Sequence, residues 1–278
     1  MHGSSSSPAE LFKKGVILFV LAFAFLPLYV MIVVSFKSNA QYQRNPWFFD
    51  PIGEWHWQNW AVAWETVQVY IYNSVFTSVT GTAITTVMVI LTSYVLARYR
   101  FPGRSVFYYL ILASMFLPGT AASLVAVFSL LKGLNLINSL WALVLVFAAS
   151  GQVVGVFILK QFIEDIPKEL FESVQIDGGG HLAQIRHVVL PMSGSIIGVT
   201  VIMDFLNSWN QVILPLIVLR DDELLTIPVG LLRMEGEYVK NYGELMAGYT
   251  ISSLPLVVLF IFCTRFFVKG LAGGAIKG

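Results

Sequence analysis

The 278-residue sequence holds a single cysteine, Cys263, which excludes a disulfide framework and any multi-thiolate metal site. Charge is scarce as well. Asp, Glu, Lys and Arg make up 12% of residues, about half the share of an ordinary soluble domain. The formal net charge is +1, so no strongly basic face is available for nucleic acid. There is no GxxxxGK[ST] phosphate loop and no HExxH or cysteine pair, which removes the usual nucleotide cradle and the common catalytic-metal motifs. His181 and His187 are six positions apart, the wrong spacing for two ligands on one helix face.

Apolar residues are abundant. They form 56% of the chain, and mean hydropathy is +0.74, more apolar surface than a soluble fold of this size can hide. Runs of about 18 or more apolar residues are candidate spanning helices. Six occur, at 16–36, 75–97, 105–131, 139–159, 192–219 and 245–264. The alternating segments of about ten residues that a β-barrel needs are absent. The reading is an all-α integral membrane protein with six transmembrane helices, residues 1–15 forming a tail and 16–278 a single membrane domain. The first run comes after Lys13 and Lys14, but it is longer than a signal-peptide core and has no small-residue cleavage site behind it. It is therefore read as a retained anchor. Pro118-Gly119, Pro215 and Pro255 are expected to kink or break their helices.

Placing the N-terminus in the cytoplasm puts Lys13, Lys14, Arg98, Arg100, Arg104, Lys160, Lys168, Arg186, Arg265, Lys269 and Lys277 on the inner side. The outer side then carries Lys37, Arg44, Lys132, Arg220, Arg233 and Lys240. The excess of inner cations is the positive-inside bias. The expected address is the cell membrane, with both termini cytoplasmic. Five of the seven tryptophans (Trp47, Trp55, Trp57, Trp60 and Trp64) fall in the outer segment. An interfacial helix accounts for them better than a sugar-stacking platform. The outer segment 220–244 carries six acids and is too long for a simple turn; a solvated loop is the plain reading.

Two polar stretches interrupt the apolar pattern. The first is ESVQIDGGGHLAQIRHVVLP, residues 172–191. Residues 168–176 read as a short amphipathic helix with Leu170, Phe171 and Val174 on its apolar side. Asp177 is a candidate cap for the next helix, and Gly178–Gly180 allow positive φ or close backbone approach. Leu182, Ile185, Val188 and Val189 recur at helical spacing, and Pro191 restricts the start of the fifth span. The expected structure is helix, sharp turn, helix: an exposed knob patterned for docking. The second stretch is a stripe in the fifth span. An ionisable group in mid-span costs roughly 3 kcal/mol on insertion scales, so Asp204 should face the bundle interior or a wet cavity. Asp204, Asn207 and Gln211 share one helix face, and with Trp209 and Asn210 they are candidates to line a translocation path. Carboxylates and amides suit sugar hydroxyls. The plainer role is hydrogen bonding to other spans.

The island at 172–191 resembles the EAA loop of ABC importer permeases, whose pattern is E-A-A, three residues, G, nine residues, then I-x-L-P. Glu172-Ser173-Val174, three residues, Gly178, nine residues, and Val188-Val189-Leu190-Pro191 keep that spacing, with both alanines replaced. Asn73-Ser74, YVLARYRFPGR at 94–104, SWNQVILPLIVL at 208–219 and GLAGGAIKG at 270–278 resemble the carbohydrate-importer group, specifically the shorter six-helix permease of the maltose-transporter type. That resemblance implies a heterodimer with a second permease, two ATPase subunits and an extracytoplasmic solute-binding protein, for which it favours segment 220–244 as a docking surface. It also implies no catalysis and no cofactor on this chain, with ATP and Mg held by the ATPases. Segment 164–191 would be the coupling loop, with Glu172, Ser173, Val174, Asp177, Gly178, Gly179, Leu190 and Pro191 serving the ATPase contact. The tail 270–278 would reach the ATPases through Gly274, Lys277 and Gly278. The same machine for glycerol phosphate, a polyol or an amino acid is the near rival. An ion-coupled secondary transporter using Asp204 is the distant one, and it would require inverted repeats, for which the first three spans offer no counterpart of the 204–211 stripe. A membrane-face enzyme would need clustered acids or histidines.

Overall fold

The computed structural model describes residues 8–116, 121–236 and 241–275, with side chains described as far as Ile261. Among the described residues every regular element is helical. α1 (Pro8–Ser35) leads to the short α2 (Asn39–Arg44), then α3 (Gln58–Arg98), α4 (Arg104–Ala113) and α5 (Ala121–Gly133). Next come α6 (Leu140–Ser150), α7 (Gln152–Asp165), α8 (Lys168–Ile176) and α9 (His181–Gln184). A π-helical turn at Ile185–Val189 leads into α10 (Leu190–Trp209), α11 (Ile213–Val218), α12 (Ile227–Gly236) and α13 (Tyr242–Ala275). Two compact units emerge: Met1–Gln68 with Leu231–Leu254, and Val69–Gly230 with Pro255–Gly278.

Five helical stretches have the length and apolarity of membrane spans: Phe12–Ser35, Gln58–Arg98, Leu140–Asp165, His181–Trp209 and Tyr242–Ile261. Over the run expected at 105–131, the described residues form two short apolar helices, Arg104–Phe116 and Ala122–Gly133, on either side of residues 117–120. At 1.5 Å per residue each covers about 20 Å, short of a hydrocarbon layer of about 30 Å. Pro118-Gly119, the break expected there, lies outside the described residues. The run at 192–219 also divides. α10 ends at Trp209 because the Asn210 side chain donates to the Leu206 carbonyl at 2.8 Å, competing with the ladder. Pro215 has no N–H to return to Gln211, so α11 starts afresh at Ile213. Pro255, by contrast, leaves α13 unbroken; the loss of one N–H is absorbed within the helix.

In the first unit, the tryptophan-rich segment is not the interfacial helix expected from its composition. Pro46, Pro51 and Gly53 limit residues 45–57 to turns, and Trp60 and Trp64 stand in the first turns of α3. The segment's aromatic rings gather on Phe36, with Trp55, Trp57 and Trp60 centroids at 4.6, 5.0 and 5.3 Å. Lys37, 1% exposed, pairs with Asp50, which Arg44 also contacts at 3.0 Å. The Lys37 hydrogen bond holds the Asp50 carboxyl below its usual value of about 3.8, against the opposing pull of burial.

The second unit has a continuous apolar core: Val89 and Leu96 of α3, Val156, Leu159 and Ile163 of α7, Phe171 of α8, and Ile185, Val188 and Val189 of the π-turn. Segment 219–230 is ordered against α3, contrary to a simple solvated loop. Asn73 donates to the Glu223 and Leu225 carbonyls at 2.8 and 2.9 Å, and Ser74 Oγ accepts from the Ile227 N–H at 2.8 Å. Asn138 Oδ1 accepts from the Arg220 and Asp221 amides.

Candidate functional site

α8 forms over Lys168–Ile176 as the sequence predicts. Phe171 is buried in the core beneath it, with the Arg98 guanidinium 3.8 Å above its ring; Val174 is half-buried and Leu170 exposed. The helix closes in a Schellman turn. Gly178 N–H donates to the Gln175 carbonyl and Gly179 N–H to the Val174 carbonyl at 3.0 and 2.7 Å. Gly178 has φ +80°, which a side chain disfavours. Gly179 answers a different need: a Cβ there would sit 2.6 Å from Val174 Cγ1 and 2.8 Å from its carbonyl oxygen.

Two expectations change here. Asp177 is the C-terminal cap residue of α8 and does not cap α9; Gly180 holds that position without a side-chain hydrogen bond. Asp177 is already committed to the turn by its own N–H, which bonds to Ser173. Leu182 departs from the buried stripe of Ile185, Val188 and Val189 and is 77% exposed, as is Ile176 at 85%. With exposed Glu172, Ser173 and Asp177, these two side chains make a knob that is polar on its flank and apolar at its tip.

The helix from His181 continues to Trp209. Pro191 does not stop it because the preceding turn is π-helical: the Leu190 N–H bonds to Ile185, five residues back. Leu190 and Pro191 therefore begin α10 and are exposed.

The knob is fastened to α3. Tyr94 Oη lies 2.5 Å from Gln184 Oε1 and 3.0 Å from His181 Nδ1, while Gln184 Nε2 donates to the Phe171 carbonyl at 3.3 Å. With the hydroxyl donating to Gln184, His181 carries its proton on Nδ1 and donates to Tyr94. Arg104 and Lys160 both hold Glu164, at 2.6 and 2.7 Å.

In the polar stripe, Asp204, Asn207 and Gln211 line one small cavity with Thr82, Thr85 and Ser150. Gly151, at the junction of α6 and α7, makes the approach possible: a Cβ there would lie 2.9 Å from Thr85 Cγ2 and 3.0 Å from Asp204 Oδ1. Trp209 and Asn210 are not brought into this cavity. Trp209 is 4% exposed and stacked on Phe205 at 5.4 Å, and Asn210 turns back to Leu206.

Residues 10–273 match the family described as binding-protein-dependent transport system inner membrane component. The chain belongs to this family. Among its relatives, the probable ABC transporter permease protein YurM of Bacillus subtilis (strain 168) is 31% identical over 94% of this chain and 86% of its own length. The arabinooligosaccharides transport system permease protein AraQ of Halalkalibacterium halodurans is 32% identical over 94% of both. The fold matches a chain in the crystal structure of a bacterial ABC transporter involved in the import of the acidic polysaccharide alginate, with TM-score 0.81 at 16% identity, covering 96% of this chain and 99% of that one.

Within this permease, Glu172, Ser173, Val174, Asp177, Gly178 and Gly179 come together in one knob, while Leu190 and Pro191 stand beyond the π-turn at the head of α10. Gly274 lies in α13, past the last described side chain, and Lys277 and Gly278 lie outside the described residues. The sequence pattern did not mark Tyr94, Arg98 and Gln184 as parts of the knob's seat. The YVLARYR stretch carries the family resemblance, yet nothing local in it announces contacts about ninety residues away.

Proposed function

We propose that this permease is the shorter transmembrane subunit of an ATP-driven, binding-protein-dependent importer of a carbohydrate. Its 172–191 knob would dock into a separate ATPase subunit on the cytoplasmic side. The observation that carries this is the knob itself: a helix and glycine turn with exposed Ile176 and Leu182, fixed from below by Phe171, Tyr94 and Gln184. An apolar tip with a polar flank suits a cleft on a soluble partner, and burying each such side chain yields about 1.5–3 kcal/mol. The carbohydrate cargo is supported by the 208–219 and 270–278 segments and by the relation to a permease named for arabinooligosaccharides.

A second permease would complete the path, and a binding protein would deliver cargo at the opposite face. This chain would bind no nucleotide and perform no hydrolysis; ATP and Mg belong to the ATPase pair. Nucleotide must favour one arrangement by about 5.5 kcal/mol to move a population from 1:99 to 99:1. The seated knob is the element through which that bias would enter the spans. Asp204 and Asn207 of α10, with Gln211 just beyond its end, are assigned to the path-facing side, whereas buried Trp209 and back-bonded Asn210 serve the helix's packing and its end.

The test is reconstitution with a partner permease, an ATPase and a binding protein, measuring ATP hydrolysis against a panel of sugars. Stimulation that needs both the binding protein and one sugar supports the reading. Sugar flux driven by an ion gradient without any ATPase overturns it.

A further inference from the structure

We propose that the cavity beside Asp204 is a binding site for a monovalent cation of the sodium class. Charge is the first reason. Among the described residues no lysine, arginine or histidine forms an ion pair with Asp204, although it lies within the membrane-spanning stretch His181–Trp209. Acidic groups at such depth are rare and are normally paired.

The donor inventory points the same way. Thr85 Oγ1 donates to the Gly81 carbonyl at 3.0 Å, Ser150 Oγ to Phe147 at 3.3 Å and Ser208 Oγ to Phe205 at 2.9 Å. Each hydroxyl has spent its proton on its own helix, so only lone pairs remain for the cavity that all three line. Thr82 is 6% exposed, and its Oγ1 is buried without a partner, the kind of orphan that points to a ligand. The site therefore offers one carboxylate, the lone pairs of the hydroxyls of Thr82, Thr85, Ser150 and Ser208, and the amide groups of Asn207 and Gln211, each with an oxygen acceptor beside its NH2 donors; its own side chains supply no positive charge.

Size narrows the occupant. The cavity has room of about 20 Å³, enough for one water-sized species. A small hard cation with charge +1 balances Asp204 and prefers oxygen ligands, as bound Na⁺ does where broken helices meet in other transporters. Gly151 keeps the α6–α7 junction close enough for this. Every ligand comes from this chain alone, so the site does not depend on the knob's docking to an ATPase.

The experiment is thermal unfolding of the purified full chain in nanodiscs, titrated with NaCl against choline chloride at constant ionic strength. The wild-type midpoint should rise with Na⁺, by about 3–6 °C at tenfold excess over the dissociation constant. Asp204→Asn, which keeps shape and removes charge, should lose the response. Thr82→Val should need several-fold more Na⁺ for the same shift, and it carries the test if Asp204→Asn does not fold. Identical midpoints in Na⁺ and choline for the wild type would overturn the proposal, as would an unchanged Na⁺ response in Asp204→Asn.

Discussion

The Tyr94 hydroxyl stands 2.5 Å from Gln184 Oε1, joining the end of α3 to the knob across ninety residues of sequence. Gln184 in turn holds the Phe171 carbonyl, so one buried amide ties together α3, α8 and α9. Tyr94→Phe keeps the ring in the core and deletes the bond. A single net hydrogen bond is worth about 0.5–1.5 kcal/mol, a change of about two- to tenfold in a coupled equilibrium. In the reconstituted importer, cargo moved per ATP should fall by that factor while assembly is unchanged; an unaltered ratio would show that the seat does not transmit.

The three consecutive glycines should respond differently to substitution. Gly178→Val forces a β-branched residue into φ +80°, costing about 1–2 kcal/mol or more. Gly179→Ala collides with Val174. Gly180→Ala meets nothing within 4 Å and has φ −82°, so it should be nearly silent. Stimulated ATP hydrolysis should be lost in the first two and retained in the third, with membrane insertion equal in all. Equal loss across the three would contradict the turn geometry.

Leu182→Asp tests the apolar tip. The residue is 77% exposed, so thermal stability of the isolated permease should change by less than about 0.5 kcal/mol. Co-purification of the ATPase should nonetheless drop, because a charge would be driven into an apolar contact.

Asp50→Asn removes the counter-charge of Lys37. Leaving a buried ammonium uncompensated costs about 3–5 kcal/mol in a dry site, and less here because the asparagine amide oxygen still accepts a hydrogen bond from Lys37. The unfolding midpoint of the variant should fall. In the wild type, the folded-state pKa of Asp50 lies below its unfolded value of about 3.8. Its contribution is therefore complete above that pH and lost only as pH falls through the lowered folded value. A wild-type loss centred at neutral pH would have to come from another group.

The membrane class, four of the spans and α8 were legible because their signals are local: hydropathy over 20 residues, or an amphipathic stretch between Pro167 and Gly178. Apolar composition is the same in one long helix and two short ones, so at 192–219 only Pro215 announced an interruption, and its place at 210–212 was set by Asn210. Proline was an uneven guide: Pro215 accompanies a fresh start as expected, whereas Pro255 and Pro191 are tolerated within their helices. That Asp204 and Asn207 share a side was readable from helical period; Gln211 lines the same cavity although α10 ends before it. The cavity's enclosure by Thr82, Thr85, Ser150 and Gly151 was not readable, because those residues arrive from elsewhere in the chain and look like ordinary small packing residues. The docking role expected of segment 220–244 came from the family resemblance; its ordered backbone was not legible, because Asn73, Ser74 and Asn138, which hold it, lie far away in sequence.

The π-turn at Ile185–Val189 has a geometric effect beyond letting the helix pass Pro191. It accommodates one residue more than a regular ladder, and each residue advances a helix by about 100°. The azimuth at which the knob presents Leu182 is thereby offset from the azimuth at which α10 presents Asp204. Deleting one residue from this turn would restore a regular ladder and swing the knob by that angle, with every contact residue still intact. The direction of docking is thus written in residue number, and a chain with all the right side chains but one fewer of them would point the wrong way.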